Sequence, residues 1–277
     1  MIAAFIDGYG SDQVLRVGDF PAPKTGPSDI LVRVHAASVN PVDFKLRDGK
    51  LRLLRRYQFP LILGHDCAGE VVQVGEDVTQ FKVGDRIFSR PRNGRIGTFA
   101  EFIAIDQSEA ALMPPNLNYH EAASLPLVAL TSWQALVDVA QLKPRQQLLI
   151  PAGSGGVGTF AIQLAKHIGA EVWTTTSGKN LEFVKSLGAD HAINYQDEDF
   201  EKRVNNLDVV FDTLGGHVAS CFFGHGLATW KFQKGGGRRG GDQLLSLRIT
   251  KILLTSFFIV RRPSRIYRSG SSLQSKS

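Results

Sequence analysis

Three glycines pose the first chemical question. Gly153, Gly155 and Gly158 in "IPAGSGGVG" stand at the spacing GxGxxG. Glycine lacks a Cβ, so the chain can turn tightly, admit a pyrophosphate to its backbone and bring a helix close to a strand. The loop Gly153, Ser154, Gly155, Gly156, Val157, Gly158 is therefore read as a cradle for dinucleotide phosphates. Its surroundings support that reading more than its letters do. The apolar run "QQLLI" precedes it, as a buried strand would. After it, Val157, Phe160, Ala161, Leu164, Ala165 and Ile168 fall on one face of a helix that Gly169 should stop. The start of such a helix offers free N–H groups and the positive end of a dipole to phosphate.

A second position bears on which dinucleotide binds. An NAD enzyme usually places Asp or Glu at the end of the second strand, where it holds the ribose hydroxyls. Here "EVWTTT" runs into "SGKN" with no carboxylate. Ser177 could bond a 2′-phosphate and Lys179 could neutralise it, which favours NADPH over NADH. A plainer reading stays open, with Ser177 capping the next helix and Lys179 solvated.

These residues need a frame. From Gln146 onward, strand-like and helix-like runs alternate: "QQLLI", the glycine-loop helix, "EVWTTT", a helix marked by Leu181, Val184 and Leu187, and "HAIN". A short helix over 197–204 capped by Asp197 and a fourth strand, "LDVVFD", complete the series. Alternation of this kind predicts a parallel sheet with helical crossovers. The first 110 or so residues read differently. Ile30–Val34, Gly69–Val74, Arg86–Phe88 and Phe99–Ile105 predict strands, with turns at Asp48-Gly49 and Gly84-Asp85. Between these regions, "HEAASLPLVALTSWQALVDV" has helical spacing, and Pro126 suits a first turn or a bend.

The motifs together resemble the zinc-independent, quinone-oxidoreductase branch of the medium-chain dehydrogenase/reductase superfamily. The matching stretches are "AASVNPVDFKLRDG", "LGHDCAGEVVQVGEDV", "VGDRIFS", "GTFAEFIAI", "AASLPLVALTSWQAL", "AGSGGVGTFAIQLAKHIGA" and "SLGADHAINY", in family order up to about Gly216. The resemblance implies an α/β fold: a GroES-like β domain over 1–122, a Rossmann domain, here the first half of one, over 123–220, and an active site in the cleft between them. It implies that Ser177, Lys179 and Tyr195 meet the 2′-phosphate and adenosine. It also implies that Asn40 of "SVNP" and Thr131 of "ALTSW" sit beside nicotinamide and substrate, where the Asn40 amide could polarise a carbonyl oxygen. Asn40 could equally be a turn residue before Pro41, and Thr131 a helix N-cap. The implied chemistry is hydride delivery from NADPH to a quinone or to the β-carbon of an enone, in a protein whose relatives form homodimers.

Zinc-dependent cousins carry a stretch similar to "GHDCAG". A catalytic zinc needs three protein ligands. His65 and Cys67 alone do not make that set, no cysteine stands near Asn40, and the four-cysteine structural lobe is missing from "FSRPRNGRIGTFAEF". No metal is expected. His65 is read as a satisfied polar residue and Cys67 as a small buried side chain.

The composition divides at about Cys221. Of 32 lysines and arginines and 26 acids, 11 bases and one acid, Asp242, lie beyond residue 220. The remaining 21 bases and 25 acids give an acidic body with a basic tail over 221–277. Two more βα units need roughly 60 residues. Only 57 remain, and "GHGLATWKFQKGGGRRGGDQ" shows no strand–helix alternation. The Rossmann domain is thus expected to be incomplete and the tail divergent, truncated or frame-shifted; if strands five and six are absent, the fourth strand becomes an exposed edge and the chain could be an inactive descendant of such an enzyme. A rival reading packs residues 244–260 against the sheet as a helix or strand. Two cysteines and no basic-then-apolar N-terminus suggest a cytoplasmic protein without a membrane span. The alternative function is a non-catalytic nucleotide- or RNA-binding protein on the same fold. Few aromatics interleave the tail's bases, so nucleic acid is the weaker partner.

Overall fold

The computed structural model describes residues 1–53, 55–214, 231–232 and 258–261. Among these the chain forms two compact units that divide between Thr131 and Ser132. The sequence places that boundary at 122/123. By packing it falls inside a helix, because Pro126–Trp133 runs on without a break.

The first unit is built on antiparallel sheets. β1 (Ile2–Ile6) pairs with β2 (Leu15–Asp19) and β4 (Leu61–Ile62). The larger sheet has the order β7-β3-β5-β6-β8, from β3 (Asp29–Ser38), β5 (Asp66–Val74), β6 (Arg86–Ser89), β7 (Phe102–Asp106) and β8 (Ala110–Leu112). Alternate residues Ile30, Val32, Cys67, Val71, Ile87, Ile103 and Ile105 fill its core. β3 is longer than the Ile30–Val34 run suggests, and β-bulges between Leu31/Val32 and Val34/Ala36 accompany its extension. α1 (Pro41–Arg47) follows directly, with Pro41 at its first position.

The helical stretch after residue 118 is broken rather than continuous. It comprises α2 (Tyr119–Ala123), α3 (Pro126–Trp133) and a π-helical turn at Gln134–Val139. Proline has no N–H to give and disfavours helix in the residue before it, so the break falls just before Pro126.

The second unit carries the sheet β11-β10-β9-β12-β14-β13. β9 (Gln147–Ile150), β10 (Glu171–Thr176), β11 (His191–Asn194) and β12 (Val209–Asp212) run parallel. Their order is that of the first four strands of a Rossmann sheet. α4 (Gly156–Ile168) and α5 (Leu181–Ser186) are crossover helices. Gly169 ends α4 at φ 91°, a left-handed conformation that favours glycine. The face of α4 that is fully buried holds Gly158, Ala161, Ile162 and Ala165, so the stripe read from sequence is turned slightly toward Ile162.

Two expectations need correction. The last helix among the described residues is α6 (Phe200–Arg203), with Asp199 at its N-cap position but no capping bond from its side chain. Asp197 instead bonds the side chain of Asn194, which competes with a capping role. The fourth strand is also not an open edge. β14 (Phe258–Arg261) pairs antiparallel with β12, from Val209↔Arg261 to Asp212↔Phe258, and β13 (Lys231–Phe232) pairs with β14. The run of parallel strands therefore ends at β12, and its unpaired N–H and C=O groups are taken up by a reversed strand. The rest of the 221–277 tail, Cys221 included, lies outside the described residues. Among the described residues, no helix is long and apolar enough to cross a membrane.

Candidate functional site

In the second unit the glycine loop joins β9 to α4, as its sequence predicts. Why glycine stands there is visible in the packing. A Cβ on Gly153 would lie 2.0 Å from Thr174 Oγ1, a hydroxyl held in place by its 2.6 Å bond to the Ile150 carbonyl. A Cβ on Gly158 would lie 2.4 Å from the Ala152 carbonyl and 2.7 Å from Gly153 Cα. These two positions bring strand, loop and helix into close approach. Gly155 is the N-cap of α4, with no side chain to cap it. The amides of Gly156, Val157 and Gly158 open the helix and have no carbonyl one turn back to bond. Gly155 and Gly156 are exposed, so this end of α4 is open to an anion.

Ser177 and Lys179 lie just beyond the C-terminal end of β10, with Lys179 in a single 3-10 turn. Tyr195 joins them because its amide donates to the Thr176 carbonyl at 3.2 Å, where β11 ends beside β10. Its ring is 58% exposed. Lys179 is exposed and has no carboxylate at ion-pair distance among the described residues. Asn180, which the sequence does not single out, ties the two halves together. Its Nδ2 donates to Ser154 Oγ and to Ser177 Oγ, both at 3.2 Å. Thr176 Oγ1 donates to Ser154 Oγ at 2.8 Å. A chain of hydroxyls thus runs from the glycine loop to the end of β10. Free helix amides and a backbone cradle that a Cβ would fill fit the pyrophosphate of a dinucleotide.

The first unit buries a polar cluster around Asp66. Asp66 Oδ2 accepts from Asn40 Nδ2 at 2.8 Å and from Ser38 Oγ at 2.9 Å. Its Oδ1 accepts from the amide of Leu127 at 3.0 Å, in the first turn of α3. Burial pushes the Asp66 carboxyl up to about 6, although the bonds from Asn40, Ser38 and Leu127 oppose the shift. Asn40 starts α1: its backbone N–H donates to Asp43 Oδ2 at 2.7 Å, as in a capping box. Asn40 is therefore both the residue before the proline and a member of a buried network. Its amide nitrogen is already directed at Ser38 Oγ, 3.1 Å away, and at Asp66. Thr131 lies buried within α3, one turn on from Leu127, and is not an N-cap.

His65 departs from its reading as a satisfied side chain. Its Nδ1 bonds Asp43 Oδ1 at 2.6 Å, but its Nε2 is buried without a hydrogen-bond partner among the described residues. Cys67 is buried in the apolar core with Ile30, Val32 and Val71, where desolvation pushes its thiol well up. Alternation along β5 separates its side chain from that of Asp66. Among the described residues, no group of three or more His, Cys, Asp or Glu side chains is placed to hold a metal ion.

Sequence reasoning passes over Asp43 and Asp66. The signal for Asp43 is its position three residues after Asn40, the spacing of a capping box. Nothing local marks Asp66, whose partners come from β3, from Asn40 ahead of α1, and from α3.

Comparison with known proteins agrees with this architecture. Residues 26–115 match the alcohol dehydrogenase GroES-like domain, and 156–221 match the family described as zinc-binding dehydrogenase. The mitochondrial NAD(P)H oxidoreductase RTN4IP1 of Danio rerio is 38% identical over 239 residues, 79% of this chain and 62% of that protein. The chloroplastic NADPH-dependent alkenal/one oxidoreductase of Arabidopsis thaliana is 37% identical over 216 residues, 75% of this chain and 55% of that protein. The chain thus spans about three-fifths of the length of such relatives. The solved structure of the quinone oxidoreductase from Coxiella burnetii has 38% identity and a TM-score of 0.71, covering 79% of this chain and 70% of its own. With its GroES-like unit, its parallel Rossmann-like sheet and these relatives, the chain belongs to the medium-chain dehydrogenase/reductase superfamily, among the quinone oxidoreductase-like proteins.

Proposed function

We propose that the chain is an NADPH-dependent oxidoreductase that reduces quinones or α,β-unsaturated carbonyls by hydride transfer, without zinc. One observation carries the reading: a glycine cradle at the start of α4 is linked through Ser154, Asn180 and Ser177 to an unpaired Lys179 at the end of β10. The relatives' names supply the reaction class.

NADPH, when bound, supplies the hydride that reaches an electron-poor carbon. The chain's own residues bind and orient. The amides of Gly156, Val157 and Gly158 hold pyrophosphate, and Ser154 anchors the loop. Ser177 and Lys179 take the 2′-phosphate, with Lys179 supplying charge, and Tyr195 offers its ring to adenine. Thr131 and Asn40 are the proposed donors to the substrate carbonyl, where oxygen gains charge as hydride arrives. Asn40 can donate only by releasing Ser38, the longer of its two bonds. Asp66 then keeps the amide pointed, and solvent supplies the proton that completes the reduction.

The test combines NADPH fluorescence titration with turnover of a simple quinone and a simple enone. Saturable NADPH binding with turnover is expected. Binding without turnover would favour the non-catalytic nucleotide-binding alternative, and no binding would overturn the proposed function.

A further inference from the structure

The first unit holds a pocket of about 460 Å³ lined by Tyr9, Arg52, Leu53, Arg55, Arg56 and Tyr57. This volume is in the range of small-molecule sites. Its charge is one-sided. Between Asp48 and Asp66 the chain contains no acid, yet it carries Lys50, Arg52, Arg55 and Arg56. Asp48 is already engaged by Arg47 at 2.8 Å and by Lys50 at 3.2 Å. Arg52, Arg55 and Arg56 form no ion pair among the described residues, so three guanidinium groups face the pocket uncompensated.

A second observation is independent of charge. Two of the lining residues are aromatic, Tyr9 and Tyr57. Both rings are held in place: Phe59 meets Tyr9 edge-on at 4.8 Å, and the Arg55 guanidinium lies over Tyr57 at 5.4 Å.

We propose that this pocket binds a phosphate group carried by a small organic molecule, with Arg52, Arg55 and Arg56 gripping the oxyanion and the side chains of Tyr9 and Tyr57 supplying aromatic walls. Guanidinium groups pair with phosphate oxygens in bidentate fashion and so favour a multivalent oxyanion over a single carboxylate. The pocket is larger than phosphate alone needs, which leaves room for an organic portion against Tyr9, Tyr57 and Leu53. The site is distinct from the coenzyme cradle and does not depend on the proposed reaction.

The test is calorimetric titration of the full chain with inorganic phosphate and, separately, with phenyl phosphate, at low salt. Saturable binding of phenyl phosphate is expected, weakened at least tenfold in the triple variant Arg52→Gln/Arg55→Gln/Arg56→Gln. Lys179→Ala, which alters the coenzyme site, should change it less than twofold. Phenyl phosphate binding more tightly than inorganic phosphate supports an organic phosphate as occupant, and equal affinity supports the anion site but overturns the organic portion. No saturable binding, or binding that survives the triple substitution, overturns the proposal. Loss in Lys179→Ala alone assigns the anion to the coenzyme cradle and also overturns it. The three arginines are exposed, and circular dichroism of the triple variant checks that it remains folded.

Discussion

Asn40 and Asp66 are joined by a 2.8 Å hydrogen bond across 26 residues, and neither side chain reaches solvent appreciably. The bond ties the start of α1 to the start of β5, and Asp66 carries it on to the first turn of α3. The burial that makes the pair rigid also makes its carboxylate costly to ionise.

That cost has a sign. The Asp66 carboxyl is raised from 3.8 to about 6, chiefly by burial. Folding therefore favours the protonated form. The stability this provides is complete below pH 3.8 and is lost as pH rises through 6. The full swing is about 3 kcal/mol, since each tenfold change in proton affinity is worth roughly 1.4 kcal/mol. Asp66→Asn removes the titration, so its stability relative to the parent should rise between pH 4 and pH 7. Urea denaturation of both proteins at several pH values checks this; parallel pH profiles would refute it.

Gly158→Ala should abolish coenzyme binding, because its Cβ would meet backbone atoms of Ala152 and Gly153 that cannot swing aside. Gly155→Ala meets the Ala152 carbonyl at 3.3 Å and should be milder. Fluorescence titration of both variants should rank Gly158→Ala as the more damaging, and the reverse order would contradict the assigned cradle.

Lys179→Ala should weaken NADPH by tenfold or more while leaving NADH nearly unchanged. An exposed lysine paired with a phosphate contributes through charge, so the gap should narrow at high salt. Equal losses for the two coenzymes would remove the 2′-phosphate role.

Removal of residues 258–277 should uncover the outer edge of β12. An unpaired strand edge is a template for association. Sedimentation should show concentration-dependent assembly of the shortened chain beyond that of the full chain. Identical behaviour would mean that β14 does not protect β12.

Cys67 should resist iodoacetamide in the folded protein, because it is buried and its thiol is pushed well up. The experiment uses a Cys221→Ser background, so that only one thiol is read. Labelling at the rate of the urea-unfolded protein would contradict this burial.

Much of the frame is legible in the residues because it rests on local periodicity. The alternation of "QQLLI", "EVWTTT", "HAIN" and "LDVVFD" with apolar stripes predicts the parallel sheet, and β9 to β12 follow it. GxGxxG between strand and helix marks the cradle because a missing Cβ is a property of the letter itself. "TTTSGKN" shows the absence of a carboxylate in the same way. The start of α6 is ambiguous in sequence because Asp197 and Asp199 both suit an N-cap position; in the fold Asp197 bonds Asn194 and Asp199 pairs with Lys202.

Other features depend on contacts that sequence spacing does not encode. Asp66 becomes a carboxyl that is costly to ionise only when folding buries it, and the bonds from Ser38, Asn40 and Leu127 oppose that shift without cancelling it. Whether β12 is an edge depends on a segment that returns from residue 258. His65 Nε2, Tyr9 and Tyr57 acquire their unsatisfied hydrogen bonds only through burial. The sequence specifies which groups are available and which elements carry them. Desolvation and pairing between distant segments, which exist only in the folded chain, set how those groups titrate and what each one meets.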